Sequence, residues 1–156
     1  MPILILYASY TGYTQEAATL LWQNLCGRFP HREFILLNVR EADKKEVKKY
    51  SLIIFGASTW DDGLNPETKL FLEKLQSANL SGSRFALFGL GDRQFLVFCA
   101  ALPIIEAQLK KQGATVLSPV FTFDNYQTGQ DISKFIEWAE LFLDAAELGH
   151  NTGQNL

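Results

Sequence analysis

Five short apolar runs alternate along the chain with stretches in which apolar residues recur at helical spacing. The runs cover residues 3–8, 33–39, 51–57, 84–89 and 115–122. Most of them are almost continuously hydrophobic, as parallel strands are when helices cover both faces of their sheet. The second run alternates more with polar residues, which favours a position at a sheet edge. The pattern predicts an α/β fold with a doubly wound parallel sheet.

The stretches between the runs carry helix signals. Asn65-Pro66-Glu67 combines a capping residue, a proline at the first helical position and an acidic residue in the first turn. Helices are predicted over 15–25, from 66 onward, from 101 to a stop at Gly113, over 132–143 and, as a short charged segment, over 41–49. The polar residues 149–156 have nothing to bury and are predicted to form a frayed tail, after one domain over 1–148.

The composition limits the classes of function. The chain has 156 residues and a net charge of −3, so it can bury one proper core but lacks the basic surface of a nucleic-acid-binding protein. No apolar run approaches the ~18 residues of a membrane helix, and no basic flank of a signal peptide precedes the first strand. Cys26 and Cys99 lie far apart without a C-x-x-C pair or a histidine at ligand spacing. We therefore expect reduced thiols, no metal site and a cytoplasmic location.

The six residues after the first strand are rich in hydroxyl groups and contain no positive charge: Ser9-Tyr10-Thr11-Gly12-Tyr13-Thr14. A turn between a strand and a helix directs unpaired backbone N–H groups and the helix dipole at one point, which makes it an anion site. The Lys of a G-x-x-x-x-G-K-[ST] loop is absent, and no G-x-G-x-x-G follows the strand. The segment therefore predicts a monophosphate held by hydroxyls and amides, as in flavin mononucleotide (FMN).

Two further loops follow the third and fourth strands. The third strand leads into Ser58-Thr59-Trp60 and an Asp61-Asp62-Gly63 turn, where the Trp60 ring could lie flat on a heterocycle or cap the core. The fourth leads into Gly89-Leu90-Gly91-Asp92, whose glycines permit close backbone approach, and then to the aromatic Phe95. Right-handed crossovers leave two common strand orders, and in both of them the ligand lies at the carboxyl ends of the strands. The three loops are thus expected to converge on one crevice.

These three loops resemble those of short-chain flavodoxins. The family's [ST]-x-T-G-x-T phosphate loop is matched at residues 9–14, its Ser-Thr-Trp loop at 58–60, and its Gly-x-Gly-Asp loop, with a later Phe-Cys, at 89–99. The resemblance runs to about residue 145. Residues 114–123 leave no room for the insertion of about twenty residues that long-chain members carry in the last strand.

The resemblance implies a five-stranded parallel sheet in the order 2-1-3-4-5 and bound FMN. The residues at 9–14 would hold the phosphate, Trp60 and Phe95 would enclose the flavin ring, and backbone groups of the later loops would bond its polar edge. The residues expected to bind the cofactor are Ser9, Tyr10, Thr11, Gly12, Tyr13, Thr14, Ser58, Thr59, Trp60, Asp61, Gly63, Leu90, Gly91, Asp92, Phe95, Phe98 and Cys99. No catalytic residue is expected.

The activity implied is that of a monomeric, low-potential electron carrier that exchanges electrons with a reductase and with acceptor proteins. Two residues depart from the family pattern. Asp61 stands where many members have Gly, and Arg93 lies in a stretch that is usually acidic. A strained backbone at Asp61 and a cation at Arg93 are both expected to shift the flavin potentials.

Two other readings use the same fold. One is an FMN-dependent reductase, or the FMN module of a larger one, acting on a quinone or a partner enzyme; the chain ends soon after its fifth predicted helix, which favours the carrier. The other is a signalling receiver, which needs an acidic pair after the first strand. Ala8-Ser9-Tyr10 occupies that place, so the receiver is disfavoured.

Overall fold

A parallel sheet of five long strands forms the centre of the molecule. The computed structural model describes residues 2–9, 12–60, 63–92 and 99–143. The strands are β1 (Ile3–Ala8), β2 (Phe34–Asn38), β3 (Leu52–Trp60), β4 (Gly63–Leu64), β5 (Arg84–Gly91) and β6 (Thr115–Asp124). The helices are α1 (Tyr13–Arg28), α2 (Lys44–Val47), α3 (Pro66–Leu75), α4 (Ala101–Lys111) and α5, described over 133–143, with a 3₁₀ turn at Val39–Glu41.

The order of the long strands is β2-β1-β3-β5-β6, and all four neighbouring pairs are parallel. Counted over five strands this is the order 2-1-3-4-5, so the predicted doubly wound fold is confirmed, with the second strand at an edge. The two-residue β4 adds an antiparallel pairing at the end of β3. β4 is not predicted from the sequence, because two residues carry no recognisable period.

Hydrophobic cores lie on both faces of the sheet, because alternate residues of each strand point to opposite sides. In β1, Leu4 and Leu6 pack with α2, α3 and α4, whereas Ile3 and Ile5 pack with α1 and α5. The second core is rich in aromatic rings: Phe88 of β5 lies 4.8 Å from Phe135 of α5, measured between ring centroids. This two-faced burial explains the nearly continuous apolar runs.

Gly56 of β3 lies directly beneath one of these rings. A Cβ atom at this position would come within 2.0 Å of a Phe88 ring carbon, so no larger residue fits without movement of the ring or the strand. Gly56 and Phe88 are also partners in the β3–β5 register. The glycine is therefore explained by close packing between neighbouring strands.

Within the described ranges no helix is long and apolar enough to cross a membrane. The same residues contain no group of three or more His, Cys, Asp or Glu side chains that could hold a metal ion. The predicted tail at 149–156 belongs to residues 144–156, which lie outside the described part of the chain.

Candidate functional site

The carboxyl ends of β1, β3 and β5 lie side by side at one edge of the sheet. Ala8 at the end of β1 pairs with Ala57, and Ser58 of β3 pairs with Leu90 of β5. The segments that follow β1 and β5, together with the last residues of β3, therefore start within neighbouring strand positions. The three segments thus leave the sheet at one edge, and their convergence on one crevice remains a prediction.

The turn between β1 and α1 depends on Gly12. Its φ of +96° lies in the left-handed region, which favours glycine, and it is the residue that precedes the first turn of α1. Its backbone N–H donates to Ser9 Oγ at 2.9 Å, which closes the turn. The helix begins at Tyr13, two residues earlier than predicted, so Tyr13 and Thr14 belong to its first turn.

Thr14 supplies a buried hydroxyl at this helix end. The side chain is 1% exposed, and none of the described residues gives its Oγ1 a hydrogen-bond partner. Nor does any described side chain cap the first turn of α1. A buried polar atom normally has a partner, and the first turn of a helix presents unpaired N–H groups and a positive dipole end. The site therefore fits a bound anion such as a phosphate.

A fully buried side chain, Asn65, joins the neighbouring strand ends to α3. Its Nδ2 donates to the Ser58 carbonyl and Oγ at 3.1 Å each, and to the Ala8 carbonyl at 3.5 Å. Its Oδ1 accepts from the backbone N–H of Thr68 at 2.9 Å. Asn65 was predicted only as the helix cap. Its contacts with β1 and β3 have no signal in the sequence, because they join residues from separate elements.

Thr59 of β3 performs a similar task for α4. Its Oγ1 accepts from the backbone N–H of Ala101 at 3.3 Å, at the helix start where Ala100 itself provides no side-chain cap. Gly63 begins β4 and pairs with Trp60. Strand β3 thus runs to Trp60, three residues beyond the predicted end, because β4 extends its pairing.

The end of β5 is held from the other side. The Gly91 carbonyl accepts from the backbone N–H of Asn125 at 2.7 Å. Cys99, buried before α4, has a φ of +49°, unusual for a residue with a side chain, and its carbonyl accepts from Leu102 N–H. Leu90 is buried and Asp92 is half-buried.

Five of the predicted binding residues lie outside the described residues: Tyr10, Thr11, Asp61, Phe95 and Phe98. So do Asp62 and Arg93, and for Trp60 only the backbone is described. Their predicted roles remain predictions. The others, at residues 9, 12–14, 58–60, 63, 90–92 and 99, lie at the ends of β1, β3 and β5 or at the starts of α1, β4 and α4.

One further side chain of this region was not predicted at all. Tyr126 follows β6, and its ring lies 5.9 Å from the Tyr13 ring in an edge-to-face arrangement. Burial, reinforced by the nearby Glu16 carboxylate, raises the pKa of the Tyr126 phenol above its ordinary value. The sequence gives no signal for it, because a lone tyrosine after a strand has many possible surroundings.

Comparison with known proteins agrees with this geometry. The flavodoxin family model matches residues 5–145. The probable flavodoxin 2 of Bacillus subtilis is 29% identical over 142 residues, which cover 90% of this chain and 93% of that protein. The NADPH oxidoreductase A of Dictyostelium discoideum is 30% identical over 116 residues, covering 72% of this chain but only 18% of that larger protein.

Among solved structures, the oxidised flavodoxin 2 of Bacillus cereus superposes with a TM-score of 0.78 at 29% identity, covering 96% of this chain and 99% of that one. The strand order is that of flavodoxin, which holds FMN at the point between its first and third strands where the order reverses. The chain belongs to the flavodoxin family of FMN-binding electron-transfer proteins.

Proposed function

We propose that this chain is a low-potential electron carrier that moves electrons between a reductase and acceptor proteins. The observation that carries the proposal is the buried Thr14 hydroxyl, which has no hydrogen-bond partner among the described residues, at a helix start that follows β1, the neighbour of β3. FMN supplies the one-electron chemistry when bound. The chain's own task is to hold it and to set its potential.

We assign the phosphate to residues 9–14. Ser9 stabilises the turn through Gly12, and the first-turn N–H groups with the Thr14 hydroxyl would bind the phosphate oxygens. A charge-assisted hydrogen bond of this kind is stronger than a neutral one. The neutral loop binds without a lysine because the helix end supplies the positive potential.

We assign the flavin ring to the loops after β3 and β5. The β3 side would contribute Ser58, Thr59, Trp60, Asp61 and Gly63, and the β5 side Leu90, Gly91, Asp92, Phe95, Phe98 and Cys99. The support is that Asn65 and Asn125 fix the backbone where these loops leave the sheet. A rigid backbone keeps the groups that face the ring in place.

We further propose a monomer in the cytoplasm. Both cysteines are thiols in the structure, which suits a reducing compartment. A net charge of −3 gives only mild steering toward basic partner proteins.

The direct test is purification, followed by an absorption spectrum and mass identification of the released flavin.

The matched pair Thr14→Val and Thr19→Val then locates the phosphate, since Thr19 lies on the same helix and its Oγ1 donates to the Gln15 carbonyl. We expect Thr14→Val to raise the Kd for FMN by about tenfold or more, because a hydrogen bond to a charged group contributes about 1.5–3 kcal/mol. Thr19→Val should leave it unchanged. A Thr14→Val protein that binds FMN like the wild type would refute the phosphate assignment.

A second candidate is an FMN module of a larger reductase, favoured by the match to one part of NADPH oxidoreductase A. The two are separated by electron transfer between separate proteins: a carrier accepts electrons from one protein and passes them to another, whereas a module exchanges them within its own enzyme. We expect the purified chain to be reduced by NADPH only when a separate reductase is added, and then to pass the electrons to an added acceptor protein.

A further inference from the structure

Residues 125–130, which follow β6, bridge two ends of the proposed FMN site. Asn125 N–H donates to the Gly91 carbonyl at the end of β5, at 2.7 Å. Three residues later, Thr128 Oγ1 donates to Glu16 Oε2 in the first turn of α1, at 2.9 Å. The segment thereby connects the β5 end, assigned to the flavin ring, with the helix end assigned to the phosphate.

The bridging segment is fixed by bonds within itself. Gln127 N–H donates to Gln130 Oε1 at 2.7 Å, and Gln130 N–H donates back to the Gln127 carbonyl at 3.2 Å. Asn125 at φ +56° and Gly129 at φ +83° give the two sharp backbone changes that close it. Because one end is bonded to β5 and the other to α1, the segment holds these two elements in a fixed position relative to each other.

Tyr126 is the side chain that brings this segment against the phosphate turn. It is 5% exposed, and its ring contacts Tyr13 on one side and Phe123 at 5.1 Å on the other. Tyr13 directly follows Gly12, whose N–H closes the turn. The Tyr126 hydroxyl has no hydrogen-bond partner among the described residues. Its ring, packed edge to face, is therefore the part that holds Tyr13.

We propose that Tyr126 is a positioning residue for the phosphate end of the FMN site: its ring fixes Tyr13 and Gly12, while residues 125–130 tie this end to the end of β5. The inference rests on the proposed function and adds a residue that does not itself touch the cofactor. Preorganising a binding turn raises affinity because less ordering is needed on binding. The effect should concern the phosphate rather than the flavin ring.

The test compares FMN with riboflavin, which lacks the phosphate. The Kd for FMN is measured by dilution of the FMN-loaded protein and the recovery of flavin fluorescence, and the Kd for riboflavin by its competition with bound FMN. For Tyr126→Ala we expect the Kd for FMN to rise by about tenfold and that for riboflavin to change by less than about twofold. Tyr126→Phe, which keeps the ring, should retain the wild-type ratio of the Kd for FMN to the Kd for riboflavin.

The matched control is Tyr50→Ala. Tyr50 is 7% exposed but lies in the other core, where its hydroxyl donates to Glu46. The variant Tyr50→Ala should lower the free energy of unfolding without changing the ratio of the Kd for FMN to the Kd for riboflavin. If Tyr126→Ala is too unstable to purify, Thr128→Val removes only the bond to Glu16 and should raise the ratio by about two- to threefold.

An unchanged ratio in Tyr126→Ala, or in Thr128→Val where that variant stands in for it, would overturn the inference and leave Tyr126 a core residue. A changed ratio of the Kd for FMN to the Kd for riboflavin in Tyr126→Phe would overturn the role of the ring. A wild-type chain that binds neither flavin would instead refute the proposed function, so the two failures are distinguishable.

Discussion

One amide, Asn65, joins the ends of β1 and β3 to the start of α3. It donates to two neighbouring strand ends and accepts from the first turn of α3, all from a fully buried position. Removing it leaves the Ser58 and Ala8 carbonyls and the Thr68 N–H without this partner. A polar group left unpaired in the interior is costly, whereas the same group in solvent binds water.

We therefore expect Asn65→Ala to lower the free energy of unfolding by about 2–3 kcal/mol, from the lost cap and the buried unpaired groups. Urea denaturation measures this. Asn79→Ala is the control, because Asn79 makes a similar side-chain bond to Ser81 N–H in an exposed turn; its loss should be within about 0.5 kcal/mol. Equal losses for the two variants would contradict the role given to Asn65.

At the scale of single residues, the sequence predicts the local contacts but not the tertiary ones. The Asn-Pro-Glu order identifies Asn65 as a helix cap, since capping involves residues close in the chain. Its bonds to Ser58 and Ala8 need the tertiary fold. The same holds for Tyr126, whose partner Tyr13 is far away in the sequence.

At the scale of elements, the Phe88 side chain of β5 lies over Gly56 of the neighbouring strand β3. The contact of Gly56 with the Phe88 ring leaves no volume for a methyl group. Strand positions were predicted well because long apolar runs specify buried strands. The bounds of β1 also agree with the prediction, whereas β3 is prolonged by its pairing with β4, and α1 starts earlier than predicted, where Gly12 adopts its left-handed conformation.

A pair of Gly→Ala variants tests this packing, and we expect opposite changes in their free energies of unfolding. Gly56→Ala should lower the free energy of unfolding by about 2–3 kcal/mol, through overpacking against Phe88. Gly27→Ala lies in α1 with open space around the added methyl, so it should raise stability by about 0.5–1 kcal/mol. Urea denaturation of both proteins measures the contrast. A neutral Gly56→Ala would mean that the ring moves aside freely.

At the scale of the whole molecule, α5 completes the second core, whereas the sequence assigns no burial to residues 149–156. Phe135 and Trp138 of α5 are buried, and Trp138 Nε1 donates to the Pro119 carbonyl at 2.6 Å. We propose that the domain extends to residue 148 and that the last eight residues contribute nothing to its stability or to FMN binding.

Deletion of residues 149–156 should accordingly leave the urea midpoint and the Kd for FMN at wild-type values. The control is deletion from residue 133 onward, which removes α5 and exposes the aromatic core, so we expect loss of the cooperative unfolding transition. A shifted midpoint in the shorter deletion would move the domain boundary beyond residue 148.

The Thr14 hydroxyl, which finds no partner within the described part of the chain, has a consequence for the protein in a cell. A ligand that binds only the folded chain stabilises it by mass action, by about 2.7 kcal/mol when its concentration is a hundred times its Kd. The newly made chain would thus depend on flavin supply for its resistance to proteases. Scarcity of the vitamin from which FMN is made would therefore lower the abundance of the protein as well as the fraction of it that holds the cofactor.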